Sequence, residues 1–156
     1  MGKNPSYMES IVILAPRELV FGIIEDDDFQ KEWMEGYKEI KVLLKTEDLI
    51  GTEFEEIINI NNKEHCFQGR LLKYEKNHIL KFSLKEKEID LKVEYDIEQL
   101  ERNKSVLIIK GWIETSLFTR FFLKYILKER LEKQLSKIKE LSENEFKKHK
   151  GEIQKK

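Results

Sequence analysis

Ile89-Asp90-Leu91-Lys92-Val93-Glu94-Tyr95-Asp96-Ile97 puts five apolar side chains on one face and four charged ones on the other. Such strict period-two alternation predicts a strand with one face buried and one wet, as in an antiparallel sheet covered on one side. The pattern continues on both sides. Upstream, Ile79–Leu84 sets Leu80, Phe82 and Leu84 on a single face. Before it, Thr52–Ile60 and Glu64–Tyr74 flank Asn61-Asn62, a pair that tolerates the positive φ of a hairpin turn. Tyr37–Lys45 reads as a further strand. Downstream, Arg102-Asn103-Lys104 turns the chain into a last strand, Ser105–Glu114, and far upstream Tyr7–Leu14 opens the series.

A sheet with one apolar face needs a cover, and the remaining segments are helical. Pro16 suits a first helical turn, and Leu19, Val20, Ile23 and Ile24 recur at helical spacing through Glu25. Asp26-Asp27-Asp28 offers carboxylates to cap a second short helix, Phe29–Met34, which Gly36 stops. After Thr115-Ser116 about 30 residues follow a helical pattern, with Leu131, Leu135, Ile138 and Leu141 as a narrow apolar stripe. At roughly 1.5 Å per residue this is a rod of about 45 Å, the one element long enough to cross the sheet. No repeat, linker or low-complexity block interrupts the chain. The expectation is a single domain over 1–156, ordered from about 7 to 142, with 143–156 as a fraying basic tail.

Composition narrows the function classes. The 156 residues include nine Phe, five Tyr and two Trp, enough to build a packed core. Twenty-nine Lys and Arg against 30 Asp and Glu give a net charge of −1, so there is no basic field to collect nucleic acid, and none is expected as a partner. The charge is uneven: residues 117–156 hold 12 basic and 6 acidic side chains. A solvated helix face is the plainer reading of that excess, and contact of this segment with an anionic membrane or RNA the alternative. No apolar run approaches the roughly 18 residues of a membrane span, and Met1–Pro5 carries no apolar signal segment. The single cysteine, Cys66, allows no internal disulfide and no multi-cysteine metal cluster. A cytoplasmic protein without cofactor or metal is the expectation.

The order of elements, together with several short motifs, resembles the START-related helix-grip (SRPBCC) superfamily. This group includes polyketide cyclase/dehydrase-like proteins, pollen-allergen-type proteins, coenzyme Q-binding proteins and lipid-transfer domains. The matching residues are Ala15-Pro16-Arg17-Glu18-Leu19-Val20-Phe21 after an apolar strand and the Asp26-to-Trp33 segment. Gly51 before the second hairpin, Gly69-Arg70-Leu71, and the closing run from Leu117-Phe118 through Leu131-Glu132-Lys133 to Leu141 complete the match. The similarity spans about residues 7–142. It implies an α+β helix-grip fold: a strand, two short helices, the six-stranded antiparallel remainder of a curved sheet, and a long C-terminal helix. It also implies a cavity between sheet and helix that holds a hydrophobic ligand.

Register selects the cavity residues. A two-residue turn at Asn61-Asn62 pairs Ile60 with Lys63, and therefore Ile58 with His65, Glu56 with Phe67, and Phe54 with Gly69. Glu53 then faces Arg70 as an exposed ion pair. If Phe54, Ile58 and Phe67 point inward, so does Glu56, and a carboxylate on an apolar face is costly unless paired or wet. A one-residue slip or a bulge would send it to solvent instead. Trp33, Phe82 and Tyr95 are the aromatics placed to line an open end, Tyr95 adding a hydroxyl. Leu117–Leu127 has eight apolar positions of 11, too many for one buried stripe. Phe118, Phe121, Phe122 and Tyr125 thus join the ligand-binding candidates as a portal. The alternatives for this segment are core packing, a homodimer surface, or a lip touching a membrane through Arg120, Lys124 and Lys128. Lys110 argues that Val106, Ile108 and Trp112 face outward, so either a bulge turns Trp112 in or a partner covers it.

The parts of an enzyme are sparse. His65, His78 and His149 are not spaced as ligands or as an acid–base pair and read as surface or strand-end residues. Cys66 adjoins His65, but neighbouring strand residues point to opposite faces, so Cys66 reads as an inert packed thiol. Seven glycines are scattered singly, without a phosphate loop. The leading expectation is binding of a hydrophobic small molecule or lipid. The alternatives are a polyketide cyclase/dehydratase-like enzyme using Glu56 with Tyr95, and a protein-interaction module built on Phe118–Leu127.

Overall fold

The computed structural model describes residues 4–154, the side chains at 117, 118 and 151–154 excepted. Along the chain lie β1 (Tyr7–Ile13), α1 (Arg17–Glu25), α2 (Asp27–Trp33), β2 (Tyr37–Leu44), β3 (Glu53–Ile60) and β4 (Lys63–Glu75). There follow β5 (Ile79–Glu86), β6 (Ile89–Glu101), β7 (Lys104–Ile113) and α3 (Leu117–Gln154). The seven strands form one antiparallel sheet in the order β1-β7-β6-β5-β4-β3-β2, so the first strand pairs with the last. Two short helices and one long one cover its concave face, giving the α+β arrangement anticipated from the pattern.

Local chemistry accounts for the junctions. The Asp26 carboxylate accepts a hydrogen bond from the Asp28 N–H at 2.8 Å, capping α2. Asn61 and Asn62 take φ values of 52° and 63°, closing the tight β3–β4 hairpin. The resulting register matches the pairing read from the sequence at every position from Glu53↔Arg70 to Ile60↔Lys63.

The tight core lies at one side of the molecule. Ile13, Val20, Ile23, Ile24, Ile97, Leu107, Ile109 and Ile138 are fully buried where α1 and α3 meet β1, β7 and β6. Among the described residues, α3 packs closely on β1 and β7 and stands off from β2 to β6. Gly111 on β7 permits the close side, since a Cβ there would lie 2.8 Å from Leu127 Cδ2.

Two sequence expectations change. The helix does not end near 142 but continues to Gln154, with Leu141 and Phe146 still packed against the core. Trp112 is neither turned in by a bulge nor in need of a second molecule: β6 and β7 pair without a shift from Leu91↔Ile113 to Gln99↔Ser105. The Lys81 ammonium covers the indole, 4.3 Å from its centre.

Gly36 marks the turn into β2. Its φ is +78°, and a Cβ there would sit 2.0 Å from the Asn59 carbonyl oxygen. Gly36→Ala should therefore lower stability by about 3 kcal/mol, combining left-handed strain with overpacking against backbone. The measurement is the urea midpoint, with the slope unchanged. An unaltered midpoint would show that this approach is not rigid.

Candidate functional site

Because α3 stands off from the middle strands, a hollow of about 410 Å³ remains between them. Alternation along β3, β4, β5 and β6 turns Ile58, Phe67, Phe82, Leu84, Leu91, Val93 and Tyr95 into it. From α3 come Phe122, Leu123, Ile126, Leu127, Arg130, Leu131 and Gln134, which recur at helical spacing. The β3–β4 hairpin, through Asn61 and Lys63, and Thr119 with Phe122 on α3 frame one end. A smaller hollow of about 240 Å³ lies between the short helices and β2 to β5, lined among others by Trp33, Ile40, Phe54, Leu80 and Tyr74.

A few polar groups interrupt these apolar walls. Glu56 is 2% exposed and lines both hollows. Burial pushes its carboxyl up to about 7, with the Arg130 guanidinium pulling the other way. Arg130 itself donates to the Glu35 carbonyl oxygen at 2.8 Å. Burial draws its guanidinium down against the opposing influence of Glu35 and Glu56. The Tyr95 hydroxyl donates to Gln134 Oε1 at 2.7 Å, and burial, then Glu56, raise its proton affinity. The Trp33 indole N–H donates to the Ile23 carbonyl at 2.9 Å, which fixes the ring beside Tyr95.

The structure distributes the sequence-derived residues unevenly. Glu56, Ile58, Phe67, Phe82, Tyr95 and Phe122 line the larger hollow. Trp33 and Phe54 line the smaller one, the Phe54 ring lying over Gly69 where a Cβ would come within 2.2 Å. Phe121 and Tyr125 do not belong with them. They are 85% and 69% exposed, and helical phase turns them away from Leu123 and Arg130. Apolar composition placed them at the site, and helical phase removes them. The Phe118 side chain lies outside the described residues.

Other residues were missed or misplaced. Arg130 and Gln134 carry polar groups into the hollow from an otherwise apolar stripe, where their spacing to Leu127 and Leu131 was the available signal. His65 is not a plain surface residue: it lines the larger hollow, stacks on Phe67, and holds Glu86 Oε1 2.6 Å from its Nδ1. Cys66 is exposed rather than packed, and partial desolvation against the sheet, then the nearby Glu55 and Glu86, push its thiol up, away from an activated thiolate. On the outer face, His78, Asp96 and Glu98 bring ligand-type atoms within 4.8 Å of one another. There, the His78–Asp96 contact of 3.3 Å is an ion pair when the imidazole is protonated.

Solved structures share this geometry. A START superfamily protein from Mycobacterium smegmatis superposes with a TM-score of 0.75 at 16% identity, over 88% of this chain and 97% of that one. The ZhuI aromatase/cyclase from Streptomyces sp. R1128 gives 0.75 at 11% identity, over 88% and 92%. The chain has the START-like helix-grip fold. Ara h 8.0201 shares it as well, with a TM-score of 0.67 at 8% identity over 87% and 95% of the two chains. No family model and no curated protein matches the sequence. At these identities the helix-grip likeness concerns the fold alone.

Glu56 gives the site a pH signature. Its pKa rises from 4.5 unfolded to about 7 folded, so between these values the native state binds more protons and stability falls as pH rises. The contribution is intact below the unfolded value and lost above the folded one, about 3 kcal/mol across the window. Glu56→Gln should therefore match the parent near pH 4 and exceed it by an amount of that order at pH 8, in urea melts. A constant difference across pH would show that the group does not titrate there.

Proposed function

We propose that this protein binds a hydrophobic small molecule or lipid in the hollow between sheet and α3. The observation that carries the reading is an apolar space of about 410 Å³ with one deeply buried carboxyl facing it. That size falls within the range of small-molecule sites, which are mostly apolar with a few convergent polar groups. Burial of apolar ligand surface supplies the drive, at roughly 25 cal/mol per Å² before ordering costs. Glu56 sets orientation. Tyr95 contributes through its ring and its hydroxyl oxygen, since its proton is held by Gln134.

One observation favours a second, enzymatic reading. A carboxyl held near neutrality inside an apolar site suits general acid–base work, the role a cyclase or dehydratase of polyketide-like substrates requires. Tyr95 is a poor acid partner for it, because its proton affinity is raised further. Loss of turnover of such a substrate in Glu56→Gln, with binding retained, would favour this reading over simple carriage.

The aromatic lip beside the hollow completes the proposal. Phe121, Phe122 and Tyr125 stand exposed among Arg120, Lys124 and Lys128, a combination suited to transient contact with an anionic bilayer. Among the described residues no helix is long and apolar enough to cross a membrane. Phe121→Asp should release the protein from phosphatidylglycerol vesicles in pelleting assays and leave its ligand content unchanged. If sedimentation shows dimers that this substitution dissociates, the same face serves a second copy instead.

Native mass spectrometry of the purified protein should show a co-eluting hydrophobic molecule. Leu91→Trp, which fills the larger hollow, should cut its occupancy at least tenfold with little change in melting temperature. Ligand-free parent protein whose melting temperature no lipid, quinone, sterol or aromatic polyketide raises would sink the carrier reading.

A further inference from the structure

The smaller hollow does not qualify as a site of its own. Its volume of about 240 Å³ lies below the roughly 300 Å³ at which small-molecule sites begin. It adjoins the larger hollow across a shared wall of Met34, Glu56, Phe82 and Tyr95. Within that shared wall, Phe82 and Tyr95 stack with ring centres 6.0 Å apart, and the Tyr95 hydroxyl is engaged by Gln134. Met34 is an unbranched thioether that can change rotamer and remain packed. Glu56 is the exception: it is 2% exposed, and among the described residues only the charge of Arg130 offsets its desolvation. A carboxyl desolvated at the junction of two apolar spaces, with only the charge of Arg130 offsetting that cost among the described residues, calls for a polar group at that depth and hydrocarbon on both sides of it.

The far ends of the two hollows differ in charge. Lys63 lines the larger space near the hairpin, whereas Glu25 and Asp27 border the smaller one. An anionic end group is favoured at the first and disfavoured at the second. It is disfavoured beside Glu56 too, where a second carboxylate would face a like charge in an apolar surround. A hydroxyl suits Glu56 in either protonation state, because it donates to a carboxylate and accepts from a carboxylic acid.

We propose that the two hollows form one bipartite site for a long-chain aliphatic acid carrying a hydroxyl near its middle. The acid end lies at the Lys63 side, the hydroxyl meets Glu56, and the distal hydrocarbon passes Met34 into the chamber beside Trp33. This assignment rests on the carrier reading and specifies its ligand.

The chain has two tryptophans, and Trp33 lines the smaller chamber while Trp112 sits on the outer face. Trp112→Phe protein therefore reports on that chamber alone. It should be titrated with 12-hydroxystearate, stearate and decanoate below their aggregation limits, with affinities from calorimetry. The hydroxy acid should bind at least tenfold more tightly than stearate, since stearate brings no hydroxyl to Glu56, and it should shift Trp33 emission. Decanoate, too short to span both chambers, should bind without moving Trp33. Ile40→Phe, which fills the smaller chamber from the sheet edge, should weaken the hydroxy acid at least tenfold and spare decanoate. Glu56→Leu should abolish the preference for the hydroxyl. Equal affinities for the two long acids, or a silent Trp33, overturns the bipartite site and leaves the carrier reading standing. Binding of none of the three acids overturns the assigned ligand class, whereas the carrier reading is judged separately by the co-purified molecule.

Discussion

The off-centre seating of α3 is the constraint on which the rest depends. Gly111 has no side chain, so Leu127 and Leu131 come down onto β7, and the helix is held close to β1 and β7. A straight rod fixed to one side of a curved sheet cannot also touch the other side. The short helices fill part of the gap over β2 to β5, and the remainder stays open. Apolar walls facing an open space forgo dispersion contacts that a packed core would collect. Larger side chains at Val93 or Leu91 would recover part of them.

The second determinant is the Asn61-Asn62 turn, which transmits a local backbone preference across the sheet. With both asparagines at positive φ the hairpin has one register, and Glu56 follows Phe54 and Ile58 onto the concave face. A slip of one residue would reverse every side chain and send the carboxylate to water. This part of the site was legible in the sequence because a tight turn and period-two alternation are both local signals. The element order was legible for the same reason.

What was not legible came from helical phase and from distance along the chain. Leu117–Leu127 is apolar on most sides, so composition could not say which residues face inward. Only the seating of α3 turns Leu123 and Leu127 inward, leaves Phe121 and Tyr125 outside, and sets Phe122 at the rim, where it lines the hollow yet stays exposed. The same seating brings Arg130 and Gln134 into the hollow, although charge alone made Arg130 look like part of a solvated face. Trp112 is a case of tertiary cover: the cation lying on it comes from β5, two strands away, and no pattern within β7 announces that. The His78, Asp96 and Glu98 grouping is hidden similarly, since a turn and a separate strand supply its members.

Glu56 links the stability of the fold to the chemistry of its hollow. Above neutral pH the unoccupied protein holds a carboxylate in surroundings that disfavour it, with Arg130 compensating only in part. A guest that donates a hydrogen bond stabilises the ionised form, so its binding lowers the pKa and releases protons. A guest that only accepts stabilises the acid form, so its binding raises the pKa and takes protons up. The sign of the proton exchange on binding thus shows whether the guest favours the ionised or the acid form of Glu56, independently of its affinity. Either class relieves a cost that the folded chain already carries, so a guest with the matching group gains more than its apolar area alone would provide, and a purely hydrocarbon guest gains less.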